Sequence, residues 1–178
     1  MISPLLTESI VLIGLPGCGK STLGQLLATH YGCPFIDTDR SIESVAGCRL
    51  QTVLDRDGVK ALRDLEGRVV ASLRVDIPAL ISTGGSVVYA PSAMHHLRQL
   101  GKVIYLRAKE ATIVQRLDNF SDRGIVRRPE QTLSQVIAER LPLYESYADA
   151  VLDVDTLSVA AAKDALIEMI NGERARPA

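Results

Sequence analysis

The chain has 178 residues, 47% of them hydrophobic and 23% charged, which suits one soluble domain with a sizeable core. A formal net charge of −1 supplies no overall field to draw in nucleic acid or a membrane surface. No apolar run reaches the roughly 18 residues needed to cross a bilayer, and the opening MISPLLTESIVLIG lacks the basic region of a secretory signal.

In chain order, SIVLIG is a β-branched apolar run and predicts a strand covered on both faces. KSTLGQLLATHYG has helical spacing at Leu23, Leu26 and Leu27, with Gly32 as its stop. CPFIDTD predicts a second strand ending in acids, and SIESVAG a short helix. LQTVLDRDGVKALRDLEGRVVASLR reads as one long helix, and IPALISTGG as a third strand entering a glycine turn. PSAMHHLRQLG is a helix opened by Pro91 and closed by Gly101. KVIYLRA is a fourth strand and KEATIVQRL another helix. DNFSDRGIVRRPEQ is polar, arginine-rich and aperiodic, and predicts a flap near residues 118–130. TLSQVIAERLPLYESYA is helical with Pro142 marking a kink or boundary. DAVLDVD is a fifth strand, LSVAAAKDALIEMING a last helix and ERARPA a frayed tail. Strands alternating with helices predict an α/β fold: a parallel sheet of five strands wrapped by helices, in a single domain.

Cys18, Cys33 and Cys48 are odd in number and lack C-x-x-C spacing, which fits reduced thiols in the cytoplasm. His30, His95 and His96 have no Cys or carboxylate spaced to complete a zinc site.

The chemistry starts at Gly14-Leu15-Pro16-Gly17-Cys18-Gly19-Lys20-Ser21, which fits G-x-x-x-x-G-K-[ST]. Glycines let successive N–H groups turn toward phosphate oxygens, and the helix that follows adds its positive end. Gly17, Cys18, Gly19, Lys20, Ser21 and Thr22 are the expected nucleotide-binding segment. Lys20 would reach the β- and γ-phosphates, and the Ser21 hydroxyl would ligate Mg²⁺. Cys18 reads as a small side chain at a variable loop position. Asp37 and Asp39 sit at the carboxyl end of the second strand, the edge where open α/β sheets bind ligands. Alternation along a strand would aim one acid at the metal and the other at an acceptor. Asp39 could instead cap the next helix.

GLPGCGKST, FIDTD, LRDLE, STGGS and ERLPLY follow the order and approximate spacing found in shikimate kinases. From about Ile10 to Asp153 the chain resembles that family of small P-loop kinases of the nucleoside-monophosphate-kinase type. The resemblance implies a three-layer αβα sandwich with a small lid. It also implies transfer of the γ-phosphoryl group of MgATP to a hydroxyl of shikimate, giving shikimate 3-phosphate for aromatic amino-acid synthesis. On this resemblance Asp37 helps hold Mg²⁺, and Asp39 binds the acceptor hydroxyls and acts as base. Arg63 and Arg140 take the acceptor carboxylate, and Gly84 and Gly85 form the turn beside acceptor and γ-phosphate. Arg123 is the lid arginine, and Arg116 flanks the adenine. Planar arginines suit a small carboxylate better than lysines do. Arg63 and Glu66 could also be a surface ion pair three residues apart on a helix, and Arg140 could be solvated.

Two motifs depart from the family pattern: Thr83-Gly84-Gly85-Ser86 is one glycine short, and Arg123-Gly124-Ile125-Val126 stands where R-P-L-L is usual. Arg127 and Arg128 either close on the triphosphate or form a solvated run. Other readings are a related kinase for gluconate-like acids or nucleoside monophosphates, a kinase-like regulatory protein, and a GTPase switch. The last is weak, because Asp55-Arg56-Asp57-Gly58 falls in a helical pattern and no N-K-x-D occurs. The expected partner is thus a small molecule, with no nucleic acid, no membrane, and a monomer by default.

Overall fold

The computed structural model describes residues 5–118, 126–128 and 130–172. Five parallel strands form one sheet in the order β2-β3-β1-β4-β5. They are β1 (Ser9–Ile13), β2 (Phe35–Asp37), β3 (Leu80–Ser82), β4 (Gly101–Arg107) and β5 (Ala150–Asp153). Every residue of β1 is buried, as the sequence predicts for a strand covered on both faces, and so are all but the last of β4. The edge strands β2 and β5 contain no buried residue. The helices are α1 (Lys20–Tyr31), α2 (Thr38–Ala46), α3 (Leu50–Ala71), α4 (Pro91–Leu100), α5 (Glu110–Asp118), α6 (Leu133–Tyr147) and α7 (Val159–Gly172). A main core of apolar strand and helix residues includes Leu12, Ile13, Leu27, Ile81, Met94, Ile104 and Leu166.

This order puts β1 and β3 side by side while their outgoing connections run to opposite flanks of the sheet. Such a switch point opens a crevice at the carboxyl ends of the two strands. The glycine loop after β1 and the Gly84-Gly85 turn after β3 both lie there. Thr83 ties the second turn down, its Oγ1 donating to the Leu12 carbonyl at 3.0 Å.

Three local expectations change. Strand β2 ends at Asp37, and Thr38 and Asp39 already belong to α2. The cap is Asp37, whose Oδ1 accepts from the Asp39 N–H at 3.1 Å. The long helix α3 is broken at Gly58, where φ 83° and ψ 174° are incompatible with a continuous helix. Its bend lets Val53 and Leu62 meet Ile42 of α2 and Val69 in a second, smaller core, against which Val126 packs. Pro142 does not end α6. It lies on the exposed face together with Ala138, whose carbonyl loses its helical partner where solvent can replace it.

One element carries no sequence signal: a single 3₁₀ turn over Val87–Tyr89. Among the described residues no helix is long and apolar enough to cross a membrane. No group of three or more His, Cys, Asp or Glu there could hold a metal, and all three cysteines are free.

Candidate active site

The phosphate half is local. Gly14, Gly17 and Gly19 take φ of 146°, 79° and 102°, conformations that side chains rarely adopt. A Cβ on Gly14 would lie 2.6 Å from the Leu106 carbonyl oxygen, so the loop also sits too close to β4 for any larger residue. Gly19 precedes α1 with no side-chain cap, and no acid occupies the first turn. The positive end of the helix is therefore left to an anion. Lys20 is 7% exposed, and its Nζ donates to the carbonyls of Gly14 at 2.9 Å and Leu15 at 2.8 Å. The Ser21 hydroxyl donates to Asp37 Oδ2 at 3.0 Å and lies 3.2 Å from Ser82 Oγ. One Asp37 carboxylate thus caps α2 with one oxygen and meets the P-loop serine with the other. The Cys18 side chain is buried in the core, with Sγ 3.6 Å from Lys20 Nζ, so only its backbone can face a ligand. Thr22 is exposed. Arg116, on α5, donates to the Gly17 carbonyl at 3.3 Å, which places it beside the loop.

The acids and the second glycine turn meet across the crevice. Gly84 N–H donates to Thr38 Oγ1 at 3.2 Å, tying the turn to the start of α2. An added Cβ at Gly84 would lie 2.5 Å from Glu66 Oε1 and 2.7 Å from Asp39 Oδ1. Only glycine leaves both carboxylates room. Glu66 is not on the surface. It is 3% exposed, and Ser86 Oγ donates to its Oε2 at 2.5 Å. Burial pushes the Glu66 carboxyl up to about 7, the Ser86 bond opposes this, and the nearby Asp39 charge adds to it. The serine that interrupts the glycine run is therefore the group that holds Glu66.

Arg63 and Arg140 converge from α3 and α6. The capping box of Thr132 and Gln135 starts α6, and the i, i+4 spacing puts Arg140 and Tyr144 on its inner face. Arg140 is fully buried, not solvated. Its Nη2 donates to the Val126 carbonyl at 2.5 Å. Its Nη1 would lie 3.2 Å from a Cβ on Gly85, and Tyr144 Oη donates to the Gly85 carbonyl at 2.5 Å. The Arg63 guanidinium lies over the Tyr89 ring, 3.8 Å from its centroid, and that of Arg140 is 5.4 Å from the same centroid. Among the described residues, Arg63 Nε and Nη2 and Arg140 Nε are buried and have no hydrogen-bond partner. Buried cationic donors without partners are chemically suited to receive an anion. Arg63 and Tyr89 also line an open cleft of about 350 Å³ with Val59, Lys60, Asp64 and Arg128.

Arg123 and most of the 118–130 segment lie outside the described residues. Of the two basic residues that follow, Arg127 donates to the Gln131 carbonyl at 2.5 Å. Arg128 pairs with Glu130 and Glu139, each at 3.4 Å. Among the described residues, neither bonds to the P-loop.

Sequence reading missed Thr38, Ser86, Tyr89, Tyr144 and Glu139, and saw Glu66 only as a surface partner. Ser86 could have been found from the interrupted glycine run. Tyr89 could not, because the turn that delivers it has no motif.

A family model described as shikimate kinase matches residues 16–171. The shikimate kinase of Thiobacillus denitrificans is 34% identical over 171 residues, 93% of each chain. That of Paracidovorax citrulli is 40% identical over 148 residues, 81% of each chain. A solved structure titled as shikimate kinase from Acinetobacter baumannii in complex with shikimate has a TM-score of 0.87 at 25% identity, covering 98% of both chains. The Aquifex aeolicus shikimate kinase structure shares the fold, with a TM-score of 0.74 at 23% identity over 94% of this chain and 99% of that one. The ordered motifs, the α/β fold and these matches agree: the chain belongs to the shikimate kinase family.

Proposed function

We propose that the protein transfers the γ-phosphoryl group of ATP to a hydroxyl of shikimate. The observation that carries this reading is the pair of half-buried Arg63 and fully buried Arg140, whose three buried nitrogens have no hydrogen-bond partner among the described residues, across the crevice from a P-loop. Such a pair suits one small carboxylate acceptor, and a relative's structure is titled as a complex with shikimate.

Gly17, Cys18, Gly19, Lys20, Ser21 and Thr22 supply backbone donors to the triphosphate. Lys20 leaves the Gly14 and Leu15 carbonyls to meet the β- and γ-phosphates, and Arg116 stands by the loop to border the base. Ser21 Oγ and Asp37 Oδ2, 3.0 Å apart, are hard oxygen donors of the kind Mg²⁺ takes alongside phosphate oxygens. Held there, Mg²⁺ would supply neutralisation of charge on the phosphates. Asp39 orients the acceptor hydroxyl and accepts its proton, held near Gly84 and Glu66. Arg63 and Arg140 fix the acceptor carboxylate, and Gly84 and Gly85 let the acceptor approach. Lys20, with Arg123 from the lid, stabilises charge on the transferring group. The flap near 118–130 excludes water.

The test is ADP release from MgATP with and without shikimate, with Arg63→Ala as control. Saturable, shikimate-dependent turnover lost in the control supports the reading. Nucleotide binding without such turnover would sink it and point to another anionic acceptor, the alternative that the open arginine pair also suits.

A further inference from the structure

Two guanidiniums packed beside one another repel, and buried cations need compensation. The usual compensation is a carboxylate, but a carboxylate on Arg63 or Arg140 would occupy the N–H groups the acceptor needs. Here the compensating surface is the face of Tyr89. The ring lies 3.8 Å beneath Arg63 and reaches Arg140 at 5.4 Å. A π face stabilises a cation without consuming its donors, and Arg63 Nε and Nη2 have no hydrogen-bond partner among the described residues. The ring has a firm base. Tyr89 N–H donates to the Ser86 carbonyl at 3.0 Å, and Val87 and Val88 before it are buried.

The hydroxyl of the same side chain has a second task. Glu139 precedes Arg140 and is close enough to favour the Arg63 charge. Its carboxylate and an incoming one would compete for the same guanidinium. Tyr89 Oη donates to Glu139 Oε2 at 3.0 Å, while Gln131 Nε2 at 2.7 Å and Arg128 Nη2 at 3.4 Å hold Oε1. Both carboxylate oxygens are thereby engaged by donors other than Arg63.

We propose that Tyr89 is a positioning residue for the acceptor site: its ring props the Arg63–Arg140 pair open for an anion, and its hydroxyl restrains Glu139 from filling that opening. The role of the pair as carboxylate receptor rests on the function proposed above.

The experiment combines steady-state kinetics with a shikimate titration followed through the Arg63 Nε–Hε NMR resonance. Tyr89→Ala is expected to raise the shikimate KM about tenfold with kcat and the ATP KM little changed. Tyr89→Phe keeps the ring and loses the hydroxyl, so its KM is expected to rise only about threefold. Adding Glu139→Gln to Tyr89→Phe is expected to restore the wild-type KM, because the neutral amide no longer competes. The Arg63 Hε signal is expected to be ring-shifted in wild type and Tyr89→Phe, and to lose that shift in Tyr89→Ala. Unchanged shikimate KM in Tyr89→Ala, or no rescue in the double variant, would overturn the proposal. If wild type neither turns over shikimate nor shifts its Arg63 resonance on titration, the functional reading fails instead. The ring shift then decides on Tyr89: its absence from wild type overturns the proposal, and its presence supports the prop.

Discussion

The two halves of the crevice keep their charged groups in opposite conditions. On the phosphate side the groups bond to their own surroundings: Lys20 to two carbonyls of the loop it serves, Ser21 to Asp37. On the acceptor side Arg63 and Arg140 are held by a ring face and by the carbonyl of Val126, with nitrogens left open. The difference follows from how each half is built. A phosphate loop is one contiguous segment, so its lysine always finds nearby carbonyls to rest on. The acceptor half draws on α2, α3, the 3₁₀ turn and α6, and its order depends on distant elements packing correctly. The first half is therefore expected to tolerate changes elsewhere, and the second to record them.

Lys20→Met should break the phosphate half most severely, lowering kcat about a thousandfold. Shikimate binding measured by calorimetry should persist, and its loss would show the halves to be coupled. Gly84→Ala should do the reverse. Its Cβ would meet Glu66 Oε1 at 2.5 Å and Asp39 Oδ1 at 2.7 Å. Displacing the acids should cost about a hundredfold in kcat/KM for shikimate, with ATP affinity in a fluorescence titration nearly unchanged.

Glu66 sharpens the contrast through pH. Its pKa of about 7 in the folded protein lies above the ordinary glutamate value of 4.5 that holds in the unfolded chain. The folded protein therefore holds an extra proton between these values, and stability falls as pH rises from about 4.5 through about 7. The loss is at most roughly 3 kcal/mol. Glu66→Gln should flatten that slope in thermal melts compared with wild type; parallel curves would argue against a buried neutral carboxyl. The smallest effect belongs to Lys60, 90% exposed in its side chain and paired to Asp64 at 2.6 Å. Lys60→Ala should move Tm by no more than about 2 °C.

What could be read from the sequence follows the same division. The P-loop was legible because its chemistry needs neighbours at fixed offsets, and β1 because both its faces are apolar. Asp37 and Asp39 were found, but as two strand-end residues pointing apart. The structure makes Asp37 a helix cap, because its Oδ1 can accept from the Asp39 N–H. Gly58 looked tolerable inside a helical period, yet the smaller core requires the bend. Glu66 paired on paper with Arg63, whereas Ser86, 20 positions along, turned it inward. Tyr89 matters only through residues 26 positions before it and 50 after it, a relation that no local pattern encodes.

Cys18 gives the nucleotide loop a built-in chemical clock. Cys18 is 1% exposed, while Cys33 and Cys48 are partly accessible. A thiol reagent should label those two first and reach Cys18 only when the loop opens away from the core. The labelling rate of Cys18 would then count openings of the loop in the resting protein, and a bound nucleotide that holds the loop shut should slow that count in proportion to its occupancy.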